Sequence, residues 1–323
     1  MEPLLEKYRP KVFGDIVGHD HIITSLQEML TNIYEFPHVL FHGAQGTGKT
    51  TMMEALAREI YKDAGDWEDI VLAINASEER NLATVREKII KYCKTASSFY
   101  DIPRKMVILE EADHFNILSQ PALRRPMETF SRTTIFGLTC NYTRKIIPPL
   151  RSRCAMYRFV SATPEDIKTF ITRVAGKEDI SIEGDALELI ALNAYGDFRT
   201  GLMAMQMATQ RTTEGSRHLT VERLIELLNY ITQESIDEIM SLVQESKTVE
   251  AVELADSYLA SGVLPEMMLD AFYKYCRNKG IFQREEVGVQ AIKLFVDTSK
   301  DISTSIIPAI AIDYLLMSLG KLL

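Results

Sequence analysis

The sequence predicts an α/β protein: a parallel sheet covered by helices on both faces, followed by two all-helical regions. Three observations carry this. Four short apolar runs alternate with helical patterns through residues 1–162. A glycine-rich turn ending in Lys-Thr joins the first run to a helix. From residue 163 onward the pattern is helical throughout.

In chain order the apolar runs are HVLFHG, IVLAINA, MVILEEA and TTIFGLTC, with a helix opening at Lys49 after the first. None alternates apolar with polar residues, as expected of strands buried on both sides. A boundary falls at SATPEDIKTF, where Ser161 or Thr163 caps a helix with Pro164 in its first position and acids in its first turn. EDIKTFITRVA, EGDALELIALNA, DFRTGLMAMQMA and TVERLIELLNY continue the helical pattern to about residue 228. From 229 it resumes, with Ile236, Ile239, Met240 and Val243 at i, i+3, i+4, i+7 spacing. The domains therefore read as 1–162, 163–228 and 229–323. The last carries 14 acids against eight bases, and helices with one apolar face want neighbours, such as copies or homologues of the chain. The tail SIIPAIAIDYLLMSLGKLL contains Pro308 and Asp313, falls short of the ~20-residue apolar span of a membrane helix, and reads as buried.

Composition excludes several classes. With 323 residues, 46% apolar and 25% charged, the chain has the make-up of a globular protein with two or three cores. MEPLLEKYRP is charged and lacks the apolar stretch of a secretory leader. Cys93, Cys140, Cys154 and Cys276 are scattered without CxxC spacing, so reduced thiols are expected; the six histidines show no ligand spacing. A net charge of −9 argues against a protein that coats nucleic acid. The charge is uneven, however. Segment 80–105 holds seven Lys/Arg against two acids, and segment 124–158 holds eight against one.

The strongest motif is HVLFHGAQGTGKTTMMEALA, with Gly43, Gly48, Lys49 and Thr50 in G-x4-G-K-T spacing. Its glycines let backbone N–H groups wrap phosphate oxygens. Lys49 reaches the β- and γ-phosphates, Thr50 offers a hydroxyl to Mg²⁺, and the helix N-terminus favours the anion. The binding segment is Gly43, Ala44, Gln45, Gly46, Thr47, Gly48, Lys49, Thr50 and Thr51. MVILEEADHF is the natural second strand, with Glu110 toward the metal and Glu111 to orient or activate the attacking water. A metal carboxylate in this place is more usually Asp. TTIFGLTCNY brings Asn141 beside the same site, where its amide can hold the γ-phosphate or the water.

With these elements in order, the chain resembles the AAA+ clamp loaders, most closely the small subunits of replication factor C of the archaeal and eukaryotic type. LLEKYRPKVFGDIVGHD, NASEERNLATVREKIIKYCKT, LRRPMETFS, NYTRKIIPPLRSRCAMYRF and GDFRTGLM match family boxes in the family's order. The resemblance implies an AAA+ P-loop domain, a helical lid over 163–228 and a helical collar over 229–323. It implies an ATPase that takes ATP and Mg²⁺. Leu5 and Arg9 would sit at the base and phosphate edge, Asn141 would be the first sensor, and Arg199 the second. Arg153, in Ser152-Arg153-Cys154, would reach in trans into a neighbour's ATP site. Arg80, Arg86, Lys88 and Lys91 would face the DNA backbone. Implied partners are a large subunit, small-subunit copies or paralogues, the sliding clamp and primer–template DNA, with no membrane. The implied location is the cytoplasm (nucleoid) of a prokaryote or archaeon, or a eukaryotic nucleus.

Four residues depart from the family's pattern. Glu110 stands where the family has Asp, Asn81 replaces a glycine, Thr200 follows the sensor arginine, and Pro126 interrupts a helical box. Pro126 is expected to kink or end its helix, because it cannot donate to the carbonyl of Ala122. Two alternatives follow. One is a nucleotide-binding scaffold subunit that donates Arg153 and hydrolyses little; the other is a different AAA+ DNA-remodelling ATPase.

Overall fold

The computed structural model describes residues 3–64, 67–79, 82–95, 102, 104–210, 217–228, 231–305 and 307–323. They divide into two compact units, 1–181 with 190–206, and 182–189 with 207–323.

The first unit opens with α1 (Leu4–Lys7) and α2 (Asp20–Leu30). It continues through β1 (His38–Gly43), α3 (Lys49–Ile60), α4 (Trp67–Ile70), β2 (Val71–Asn75), α5 (Leu82–Lys94) and β3 (Lys105–Glu110). Then come α6 (Pro121–Thr129), β4 (Thr134–Cys140), α7 (Pro148–Arg151), β5 (Cys154–Phe159) and α8 (Pro164–Lys177). The strands pair in parallel in the order β2-β3-β4-β1-β5. Alternate residues serve opposite faces: Val39 and Phe41 join one core cluster, while Leu40 joins another. Met106 and Ile108 are likewise separated from Val107 and Leu109. Both faces are covered, which is why these strands read as continuous apolar runs. Because β1 lies between β4 and β5, the strand order reverses there. Parallel sheets open their binding crevice at the carboxyl ends beside such a point.

β5 was not among the expected strands. It is an edge strand in which only Phe159 is buried, and Arg158 interrupts the apolar residues of CAMYRF. One part of the expectation for Pro126 is corrected: α6 does not end there but runs on to Thr129. Leu123, Pro126 and Met127 are all buried on one face, and that burial offsets the loss of one hydrogen bond. Of the two candidate caps, Thr163 caps α8. Its side chain accepts from the Asp166 N–H while Asp166 accepts from the Thr163 N–H, a capping box.

Helices α9 (Gly184–Asn193) and α10 (Phe198–Gln210) follow. Strand β6 (Ser181–Ile182) pairs with β7 (His218–Leu219), and α11 spans Val221–Leu228. The second unit is completed by α12 (Gln233–Gln244), α13 (Thr248–Ala260), α14 (Pro265–Asn278), α15 (Glu285–Thr304) and α16 (Ala309–Leu322). Ile236, Ile239, Met240 and Val243 are all buried in its core with Leu315, Leu316 and Leu319 of the tail helix, as the spacing requires. Ile310, Tyr314 and Met317 on α16 and Val289, Ile292 and Val296 on α15 stay exposed, at helical spacing. Among the described residues no helix is long and apolar enough to cross a membrane.

Candidate functional site

The site grows out of the turn between β1 and α3. Gly46 and Gly48 adopt positive φ, 79° and 90°, a conformation open to glycine at little cost. At Gly46 space adds a second demand, because a Cβ there would lie 2.3 Å from the carboxylate of Asp197. α3 starts at Lys49 and leaves its first N–H groups facing the turn. A cavity of about 340 Å³ opens above it, within the range of small-ligand pockets. Its floor is Gln45–Thr51. Its walls are Leu5, Arg9, Val17 and His19 from the N-terminal segment, Glu111, Thr139 and Asn141 from the strand ends, and Phe198 and Arg199.

Lys49 is buried, and its Nζ donates to the carbonyls of Gly43 (2.9 Å) and Ala44 (2.6 Å). Burial pulls its pKa below the ordinary lysine value; Cys140, Asp113 and Glu111 act against that, while Arg199 adds to it. An ammonium held by neutral carbonyls still lacks a full counter-charge, so an anion in the cavity is strongly favoured. His19 Nε2 donates to the Thr47 carbonyl at 3.2 Å, and its ring lies on Phe159, 4.7 Å between centroids. The Thr47 hydroxyl donates to the Ala44 carbonyl at 2.8 Å, so the loop is tied from both sides.

The two acids after MVIL separate. Glu111 has φ of 50°, a left-handed conformation that costs about 1–2 kcal/mol for a residue with a Cβ. Its N–H donates to the Thr139 hydroxyl at 3.1 Å, and it lines the cavity. Glu110 ends β3 half-buried and is not among the cavity-lining residues. Burial raises its pKa, the charge of Arg9 opposes that, and Glu111 and Glu78 add to the rise. Arg9 Nη2 meets Glu54 Oε1 at 2.7 Å, and burial raises the Glu54 carboxyl in the same way. Arg9 is thus paired with Glu54 on α3, and its charge also acts on Glu110 at the end of β3.

Asn141 lies at the cavity, directly after β4. What holds it does not stand out from the sequence. The buried carboxylate of Asp113 accepts from the Asn141 and Tyr142 N–H groups, each at 3.2 Å, and fixes the turn. The signal was present as the third acid of LEEAD. Arg199 pairs with Asp197 at 3.3 Å and lines the cavity. Asp197 presses on Gly46, so this pair lies against the phosphate loop.

The remaining candidates lie elsewhere. Arg153, after α7, is not among the cavity residues and bonds instead to Glu128 and to the Pro149 carbonyl. Arg86, Lys88 and Lys91 are exposed on α5, with Lys88 paired to Glu79 at 2.6 Å. Arg80 and Asn81 lie outside the described residues.

The donors fit magnesium in the manner of nucleotide enzymes. Thr50 lines the cavity, and the β3 carboxylates stand at the adjacent strand end. Mg²⁺ needs only one or two protein ligands when phosphates and water complete its shell.

Residues 39–162 match the AAA family of ATPases associated with various cellular activities. The replication factor C small subunit of Methanococcus maripaludis is 34% identical over 290 residues, covering 88% of this chain and 89% of the relative. The replication factor C small subunit of Thermofilum pendens is 37% identical over 263 residues, covering 80% and 78%. The chain belongs to the replication factor C small-subunit family. It is accordingly an AAA+ ATPase and a clamp-loader subunit. The RuvB branch-migration motor of Thermotoga maritima, 19% identical with a TM-score of 0.57 over 85% of this chain and 92% of that one, shares the fold.

Proposed function

We propose that this chain binds ATP with Mg²⁺ at the loop Gly43–Thr51 and hydrolyses it slowly within a clamp loader that opens a sliding clamp on primer–template DNA. The reading of slow hydrolysis rests chiefly on one observation: Glu111 lines the cavity, whereas Glu110, a Glu where the family has Asp, lies outside the lining, as does Glu54. Leu5 and Arg9 flank the base side, and the loop N–H groups and Lys49 bind the phosphates. Asn141, held by Asp113, senses the γ-phosphate. Arg199 exchanges Asp197 for phosphate oxygens as the nucleotide enters. Glu111 orients the attacking water. Thr50 and Glu110 would hold Mg²⁺, which would supply charge neutralisation at the phosphoryl group. Glu extends its carboxylate ~1.5 Å farther than Asp. Bound water absorbs this for affinity, but a ~1 Å misplacement costs on the order of 10² in rate.

Arg153 acts in trans at a neighbour's site, where a guanidinium is worth on the order of 10³–10⁵ in rate in related enzymes. Arg86, Lys88 and Lys91, together with Arg80, contact DNA phosphates without reading sequence. Residues 163–228 form the lid and 229–323 the collar, with the exposed apolar faces of α15 and α16 meeting other subunits. The setting is the nucleoid or nucleus where DNA is replicated. The test is co-purification with a clamp and large subunit, then DNA-stimulated ATPase of the complex with Glu110→Asp. A rise in rate supports the proposal; no change or a fall removes the handicap assigned to Glu110, and leaves the scaffold reading with no basis in this residue.

A further inference from the structure

We propose that Glu128 positions Arg153 for its action on a neighbouring subunit, and that Arg124 in turn fixes Glu128. The inference rests on Arg153 acting in trans, and it assigns a role to a carboxylate far from this chain's own ATP cavity. Arg153 Nη2 donates to Glu128 Oε1, and Nη1 donates to the Pro149 carbonyl. Arg124 Nε donates to the same Glu128 oxygen at 3.0 Å, from one turn earlier on α6. One carboxylate oxygen therefore holds two guanidiniums.

The support beneath Glu128 is rigid. Its neighbour Met127 is buried, and the Met127 carbonyl accepts from Nε2 of the buried His38 at the start of β1, 3.1 Å away. Two prolines open the short helix α7, so the carbonyl on the other side of Arg153 is also fixed in place. The Arg153 side chain is 26% exposed and Glu128 42%, enough to keep the pair at the surface and within reach of another molecule.

Stability does not account for this arrangement, because an ion pair this exposed to solvent contributes little. Preorganisation does. An arginine free in solution loses rotamer entropy when ordered on a phosphate, and prior fixation removes part of that loss. The alternative, that Glu128 sequesters Arg153 and restrains it, makes the opposite kinetic forecast.

The experiment is steady-state DNA-stimulated ATPase of the assembled complex carrying variants of this subunit alone. Glu128→Ala should lower kcat about 10-fold, with KM within about twofold, since positioning acts on the transition state. Glu128→Gln, which keeps an oxygen acceptor, should restore most of the rate, and Arg124→Ala should cost only a few-fold. The double variant Glu128→Ala with Arg153→Ala should be no slower than Arg153→Ala alone. A rise in kcat with Glu128→Ala would show restraint and overturn positioning, as would an unchanged kcat or additive losses in the double variant. If Arg153→Ala itself leaves kcat unchanged, action in trans fails and the positioning role falls with it. If Arg153→Ala slows the complex and Glu128→Ala does not, only the positioning role fails.

Discussion

The two edges of the five-stranded sheet carry similar charged residues and use them differently. At the amino edge Arg104 is 3% exposed, and its guanidinium donates to the carbonyls of Ile33, Phe36, Ser131 and Thr134. Lys105 beside it donates to the carbonyls of Tyr92 and Thr95 at the end of α5. At the carboxyl edge Lys49 also donates to two carbonyls, yet it lines a cavity, and Arg9 and Arg199 rest on carboxylates. A cation enclosed by backbone carbonyls ties the chain together. A cation facing a cavity, with partners that an incoming anion can displace, is available to a ligand.

The largest effect that would sharpen this contrast is at the amino edge. Arg104→Met removes hydrogen bonds to four carbonyls, of which that of Ile33 keeps another donor, the Phe36 N–H. Urea unfolding should show a loss of about 3–5 kcal/mol, with ATP affinity of the folded fraction unchanged. A loss under about 1 kcal/mol would erase the distinction between the edges. Asp113→Ala, at the other edge, should cost about 1–3 kcal/mol of stability by stranding two N–H groups. It should also lower kcat more than it raises KM, because Asn141 is released; a change in KM alone would place Asp113 in binding instead.

The smallest effect concerns pH. His38 Nδ1 accepts from the Phe136 N–H at 3.1 Å while Nε2–H donates to Met127, so the folded chain holds it neutral, and burial lowers its pKa below 6.5. The unfolded chain takes up the proton near pH 6.5, so the His38 contribution is complete above that pH and declines as pH falls below it. The slope is at most about 1.4 kcal/mol per pH unit. Burial lowers the pKa of His19 and His42 as well, so the comparison is wild type against His38→Gln. Equal slopes between pH 7 and 5.5 would remove His38 from the ties of the amino edge.

These differences also explain what could be read in advance. The glycine-rich loop is contiguous, and its residue types state their chemistry, so Gly43–Thr51 could be read as one unit; β1, β3 and β4, buried on both faces, and the apolar run of β2 were legible as strands. β5 was not, because Arg158 interrupts its apolar residues and only Phe159 is buried, whereas β2, the other edge strand, keeps an unbroken apolar run. Arg104, His38 and Glu128 were missed for another reason. The partners of Arg104 and His38 lie 27–71 and 89–98 residues away along the chain and Arg153 lies 25 from Glu128, and no local spacing announces such bonds. Pro126 misled because propensity forecasts a break, whereas burial of Leu123, Pro126 and Met127 holds the helix together.

The central claim is that the carboxyl edge is a nucleotide site built around Lys49. Its most direct test is titration of the purified chain with a fluorescent ATP analogue in Mg²⁺, wild type against Lys49→Ala, with the unfolding temperature followed in parallel. The account predicts saturable binding by wild type and at least about a 100-fold weaker Kd for Lys49→Ala, close to 3 kcal/mol, with little change in unfolding temperature. Equal affinity in the two proteins would contradict it.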